Sequence, residues 1–157
     1  MKIISWNVLG LARSRARRSL TRLLREHKPD IVFLMETNLT DSQMEGLSDD
    51  LCFSCCTVGR SKAGGGGLLL LWPLDWKISV LISSLGYSDG VVHTSTSAFH
   101  FTCFYGNPAT QLRHFSWELL RRISSTVTSG WLVVGDYNEI LDVIKRQVFD
   151  SDQWGRF

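Results

Sequence analysis

The sequence predicts a layered α/β domain in which two sheets pack face to face and helices cover the outside. Three observations carry that prediction. Short apolar runs outnumber amphipathic segments. Two of those runs flank one helical pattern closely enough to require a parallel crossover, a unit that usually buries both sheet faces. Later runs alternate with period two, the mark of strands with one buried face. At 157 residues, with 44% hydrophobic and 20% charged residues, the chain suits one domain that buries about two-thirds of its unfolded surface.

Taken in order, residues 2–7 are β-branched and aromatic and form a strand. Over 14–26, Ala16, Leu20, Leu23 and Leu24 fall at helical spacing while arginines fill the other faces. Pro29 stops that helix by disfavouring helical geometry at Lys28. Residues 31–36, IVFLME, form an apolar strand ending in the Glu36 carboxylate. The polar stretch TDSQMEGLSDD is expected to be a connection. The glycine run AGGGG at 63–67 lacks the Lys-Ser/Thr ending of a phosphate-cradling loop, so it is a permissive turn. The strand at 68–72 follows, broken by Pro73. Trp76, Ile78, Val80 and Ile82 are assigned to one face of the next strand, with Lys77, Ser79 and Ser83 opposite. Residues 91–96 form a weaker strand. Phe99, Phe101, Cys103 and Tyr105 alternate again, which puts Tyr105 at a strand end before Gly106, Asn107 and Pro108. Residues 111–127 form the second helix, its inner stripe being Leu112, Phe115, Leu119, Leu120, Ile123 and Val127. The strand at 131–135 follows.

A net charge of +2 permits a nucleic-acid partner without requiring one. The charge is unevenly placed, however. Arg13, Arg15, Arg17, Arg18, Arg22, Arg25 and Lys28 crowd one segment whose only acid is Glu26. Such a segment has the composition of an organelle transit peptide, but cleavage there would remove the first strand. A secretory signal is excluded because Ser5 and Asn7 interrupt the short apolar run. No run approaches the roughly 18 residues of a membrane span, so a membrane partner is not expected. Without a signal peptide, Cys52, Cys55, Cys56 and Cys103 do not read as a disulfide framework. Cys52 and Cys55 have zinc-like spacing that His93, His100 and Cys103 could complete, but one pair is a weak signature. Buried or half-buried thiols in a β region account for them better.

Asn7, Glu36, Tyr105, and Asp136 with Asn138, each stand where an apolar strand runs out. Sites on rigid sheets are often built there, because the scaffold fixes the side chains and the following loops leave room. Glu36 and Asp136 could supply the oxygen ligands that a hard divalent cation takes. Amides and a phenol suit hydrogen bonding to phosphate or to an attacking water. Singly, each residue has a structural alternative. Asn7 suits a turn, Glu36 an exposed loop start, Tyr105 a half-buried strand, and Asp136 and Asn138 side-chain turns.

SWN with its following glycine, FLMET, FYGNP and VVGDYNE resemble, in that order, the motifs of the endonuclease/exonuclease/phosphatase superfamily. Deoxyribonuclease I, the abasic-site endonucleases and the inositol polyphosphate 5-phosphatases belong to it. The longer phrases KPDIVFLMETN, FYGNPATQLRHFSWELLRRI and WLVVGDYNEIL are most similar to the endonuclease domain of plant LINE-type (non-LTR) retrotransposons. The resemblance spans residues 1–141, taken as a partial domain, with 142–157 a divergent tail. It implies a four-layer α/β/β/α sandwich of the deoxyribonuclease I-like type, incomplete at its C-terminus. It also implies a magnesium-dependent hydrolase, with manganese as an alternative metal, acting on DNA; the sequence specifies no location, and an intracellular, nuclear one is compatible with that substrate. Carried over by residue, it has Glu36 binding the metal and Asn7 touching metal-bound water or phosphate. Tyr105 would hydrogen-bond the scissile phosphate, Asp136 orient or activate the attacking water, Asn138 steady the phosphate, and Asn107 contact substrate.

One departure tempers this. Family members finish with a Ser-Asp-His segment, and none occurs here. His27, His93, His100 and His114 stand in other contexts, where surface or packing roles are expected. The chain is therefore expected to be truncated, with an unpaired sheet edge and weak or absent activity. Two further readings stay open: a non-catalytic nucleic-acid-binding fragment using the arginine-rich helix, and a phosphomonoesterase of the same superfamily. The sequence specifies no oligomeric state.

Overall fold

The computed structural model describes residues 1–58 and 66–139. The first part of the glycine-rich turn, at 63–65, and the tail from 142 lie outside the described residues. The chain runs β1 (Ile3–Asn7), α1 (Ser14–His27), β2 (Ile31–Met35), α2 (Asp41–Leu51), β3 (Phe53–Val58), β4 (Leu68–Pro73), β5 (Lys77–Ser84), β6 (Tyr87–His93), β7 (Ala98–Tyr105), a 3-10 turn (Thr110–Leu112), α3 (Arg113–Thr126) and β8 (Trp131–Asp136). Two four-stranded sheets result, ordered β1-β2-β4-β3 and β5-β6-β7-β8.

Each sheet contains one parallel pair joined through a helix. β1 and β2 flank α1, and β7 and β8 flank α3. The predicted crossover is present, and a second one closes the other sheet. The sheets meet through Ile31, Phe33, Met35, Leu68, Leu70 and Trp72 on one side and Val92, Phe101 and Cys103 on the other. On the outer face of the first sheet, Leu20 and Leu24 of α1 and Met44 and Leu47 of α2 pack on Val32, Leu34, Leu69 and Leu71. On the second sheet's outer face, Trp117 of α3 stacks on Tyr137, whose ring leans on Phe104 of β7. The order is helix, sheet, sheet, helix, as expected. No helix of the described residues is long and apolar enough to cross a membrane.

Several local expectations need correction. TDSQMEGLSDD is not a connection: Asp41–Leu51 is helical. Thr40 and Gln43 form a reciprocal capping box, with Gln43 N–H donating to Thr40 Oγ1 at 3.1 Å and Thr40 N–H to Gln43 Oε1 at 2.9 Å. The polar composition masked the stripe of Met44, Leu47 and Leu51. Ile82 does not share the face of Ile78 and Val80. The register between β5 and β6 shifts between Val80 and Ile82. A bulge turns the following side chains over, which leaves Ile82 54% exposed. β6 spans Tyr87–His93 rather than 91–96. In α3 only the later part of the predicted stripe is inward. Leu112 ends the 3-10 turn, and Phe115 is 58% exposed. Cys52 is exposed at the left-handed C-cap of α2, Cys55 is half-buried and Cys103 is buried between the sheets.

Candidate active site

Parallel pairing places the site. β1 and β2 run the same way, so their C-terminal ends are neighbours: Asn7 pairs with Met35, and Glu36 comes next. β7 and β8 repeat the arrangement with Tyr105 opposite Asp136. β1 and β8 face each other across the sandwich, which brings the two pairs together. Asn7 is the bridge. Its Nδ2 donates to Glu36 Oε1 at 2.8 Å and to Asp136 Oδ2 at 3.4 Å. The two acids, 100 positions apart in the sequence, therefore share one amide nitrogen. Tyr105 completes the cluster by donating its hydroxyl to Glu36 Oε1 at 2.6 Å.

Backbone geometry holds these groups in place. Glu36 has φ 54° and Asn138 φ 51°, a left-handed conformation that is uncommon for glutamate. Such outliers persist where surrounding bonds over-determine them, and they concentrate at functional sites. Around Glu36 the bonds are explicit. Its carbonyl accepts Gly10 N–H at 2.8 Å, while Thr37 and Asn38 N–H donate to the Gly67 and Gly66 carbonyls at 3.1 and 2.8 Å. Gly66 and Gly67 have φ 96° and 92°, so the last two residues of the glycine run clamp the segment after Glu36. Around Asp136, Asn138 N–H donates to Oδ1 at 2.9 Å, and Asn138 Nδ2 reaches the Gly106 carbonyl at 2.7 Å. Gly106 and Gly135 permit this closeness. A Cβ on Gly106 would collide with the Tyr137 carbonyl, and one on Gly135 would collide with the Phe104 carbonyl.

A cavity of about 620 Å3 opens beside the cluster, lined by Ser5, Asn7, Met35, Trp117 and residues 135–139. The electrostatics are acidic. Burial, the Glu36 hydrogen bond and the Glu36 charge together push the Tyr105 phenol up from 10.0 to about 12, so it is a donor at neutral pH. Burial also raises Tyr137. Arg113 Nε lies 3.8 Å from Oε1 of Glu139, the cavity's third acid.

Asn7, Glu36, Tyr105, Asp136 and Asn138 are thus gathered in one place. Asn107 stands apart: its Oδ1 accepts Ala109 N–H at 3.1 Å, its N–H goes to Ser116 Oγ, and it does not line the cavity. The histidines are elsewhere. His100 is buried, 2.8 Å from Asp89, and His93 meets Ser79 at 3.1 Å; His27 and His114 are exposed on helices. Trp117, Tyr137 and Glu139 were not singled out from sequence. Trp117 reads as one more apolar helix position, and only its stack on Tyr137 brings it to the cavity.

Two carboxylates beside amide and phenol donors, at the open end of a sandwich, form a hard-oxygen set. Such a set suits a cation that keeps water and substrate phosphate as its remaining ligands.

Comparison with known proteins agrees with this architecture. Residues 4–153 match the Endonuclease/Exonuclease/phosphatase family. No curated protein matches the chain. Among solved structures, the endonuclease domain of TRAS1, a telomere-specific non-LTR retrotransposon, superposes with a TM-score of 0.70 at 12% identity, over 94% of this chain and 69% of that one. D. rerio TDP2 complexed with a single-strand DNA product gives 0.65 at 20% identity, over 95% and 64%. An AP endonuclease from Archaeoglobus fulgidus gives 0.68 at 17% identity, over 92% and 60%. At these identities the likeness establishes the fold and nothing finer.

Proposed function

Because the chain belongs to the Endonuclease/Exonuclease/phosphatase family, we propose that it is a metal-dependent phosphodiesterase that cleaves DNA, of the kind carried by plant non-LTR retrotransposons. The observation that carries this is the Asn7 bridge between Glu36 and Asp136. The DNA assignment draws on the retrotransposon-like phrases of the sequence. It also draws on structural neighbours that include a retrotransposon endonuclease domain, an AP endonuclease and a protein captured with a DNA product. A nuclear location is compatible with that substrate.

Glu36 is assigned to hold a divalent cation, magnesium or alternatively manganese, whose charge offsets the negative charge growing on the phosphate oxygens. Asn7 fixes Glu36 and Asp136 in one orientation. Asp136 Oδ2, the oxygen that Asn7 Nδ2 contacts, accepts the proton of the attacking water, while Oδ1 is anchored by Asn138 N–H. Tyr105 would turn its one hydroxyl proton from Glu36 to the phosphate once Glu36 holds a cation. Asn138 Nδ2 keeps a second hydrogen for the same phosphate beyond its bond to the Gly106 carbonyl, and Asn107 shapes the turn after β7. No histidine of the described residues joins this cluster, so Asp136 carries the general-base role.

Plasmid nicking with magnesium, with EDTA and with Glu36→Gln tests the proposal. Nicking should need the metal and fall at least tenfold in the variant. Nicking indifferent to both changes would refute it.

A further inference from the structure

We propose that the outer face of α1 is a docking track for the phosphodiester backbone flanking the cleaved bond, with Arg15, Arg18 and Arg22 as the phosphate contacts. This rests on the reading of the site as a phosphodiesterase and names where its substrate lies.

The charge distribution is the first support. Residues 13–28 carry seven basic residues and one acidic one, net +6, in a chain whose net charge is +2. The remainder therefore carries −4. The site itself is acidic through Glu36, Asp136 and Glu139, so a polyanion needs compensating charge close by.

Placement is the second. Gly10 and Leu11 N–H donate to the carbonyls of Glu36 and Thr37 at 2.8 Å each, and Arg17 Nε donates to the Leu11 carbonyl at 3.1 Å. The first turn of α1 is thereby tied to the strand end that presents Glu36. Leu20 and Leu24 face the sheet, while Arg15, Arg18 and Arg22 are exposed. These three, with Ser19, line a cleft of about 450 Å3. From Arg15 to Arg22 the helix advances about 10 Å, roughly three base-pair steps at ~3.4 Å along the duplex axis.

The third is that two of these arginines are uncommitted. On α3, Arg122 is held by Glu118 at 3.1 Å. On α1, Glu26 stands four residues after Arg22, yet among the described residues neither Arg18 nor Arg22 has an ion-pair partner. Guanidinium groups left in this state are suited to phosphate oxygens.

The test uses the whole chain. Binding of a labelled DNA duplex is measured in EDTA across a salt series, for wild type, the triple variant R15Q/R18Q/R22Q, the corresponding lysine triple, and Arg121→Gln on α3. Each lost phosphate contact lowers the slope of log K against log salt by about 0.9, so the glutamine triple should lose between two and three. The lysine triple should keep most of the slope, and Arg121→Gln should leave it unchanged. With magnesium, hydrolysis of bis(4-nitrophenyl) phosphate, too small to reach α1, should be equal in wild type and the glutamine triple, while KM for plasmid rises at least tenfold. An unchanged slope in the glutamine triple overturns the track, as does arginine-dependent binding to anionic lipid vesicles with none to DNA. A steep wild-type slope lost in the triple, with no hydrolysis of either substrate, upholds the track and removes the phosphodiesterase reading.

Discussion

Asn7 is the residue on which the site's geometry turns, because one amide nitrogen contacts carboxylates from both sheets. Its neighbour Tyr105 gives a direct spectroscopic handle. In metal-free protein the phenol should titrate at about 12, read by ultraviolet absorbance. Glu36→Gln should bring it part of the way back toward 10.0, and only part, because burial is the larger cause and remains. The folded value lies above the ordinary one. Stabilisation by the protonated phenol is therefore complete below pH 10 and fades as pH rises through about 12. Tyr105→Phe should abolish that component of the alkaline stability loss. At this scale the sequence was informative: Asn7, Tyr105 and Asp136 end strands, Glu36 and Asn138 come just after, and all five converge. Asn107, supplied by the same motif, stands outside the cavity lining with its amide oxygen holding a turn.

At the scale of elements, two glycine substitutions should act in opposite directions. Gly135 has φ 149°, and an added Cβ would collide with the Phe104 backbone on β7. Gly135→Ala should cost at least about 3 kcal/mol through overpacking and strain, or force β8 away from β7 and take Asp136 out of register with Tyr105. Gly46 lies inside α2, and a Cβ there would meet nothing within 4 Å, so Gly46→Ala should add up to about 1 kcal/mol. Denaturant midpoints for both variants check the signs. The sequence could not separate the two glycines. One sits in a helix with open space around it, and the other sits where two backbones touch, a distinction that needs the partner strand. α2 itself escaped notice for a related reason: Thr40 and Gln43 announce a helix start, but the face it buries is defined only by the sheet beneath.

For the whole molecule, the central question is whether the sheets behave as one unit. Each contributes half of the cluster, Asn7 and Glu36 from one and Tyr105 and Asp136 from the other. They are joined by a shared apolar layer in which Phe33 is fully buried. Phe33→Ala should cost about 3–5 kcal/mol, and near- and far-ultraviolet circular dichroism should still report one coincident transition. Noncoincident transitions would show the sheets melting separately.

The strands β1, β2, β4, β7 and β8, the first crossover, the helix α3 and the polar residues at strand ends are fixed by local pattern, because periodicity and strand termination are properties of neighbouring residues. The bulge after Val80, the burial of α2 and the clamp of Gly66 and Gly67 on the segment after Glu36 are decided in three dimensions, and so are the Trp117 stack and the meeting of two acids 100 positions apart. Each of these depends on which backbone lies alongside, and that is set by how one sheet packs on the other.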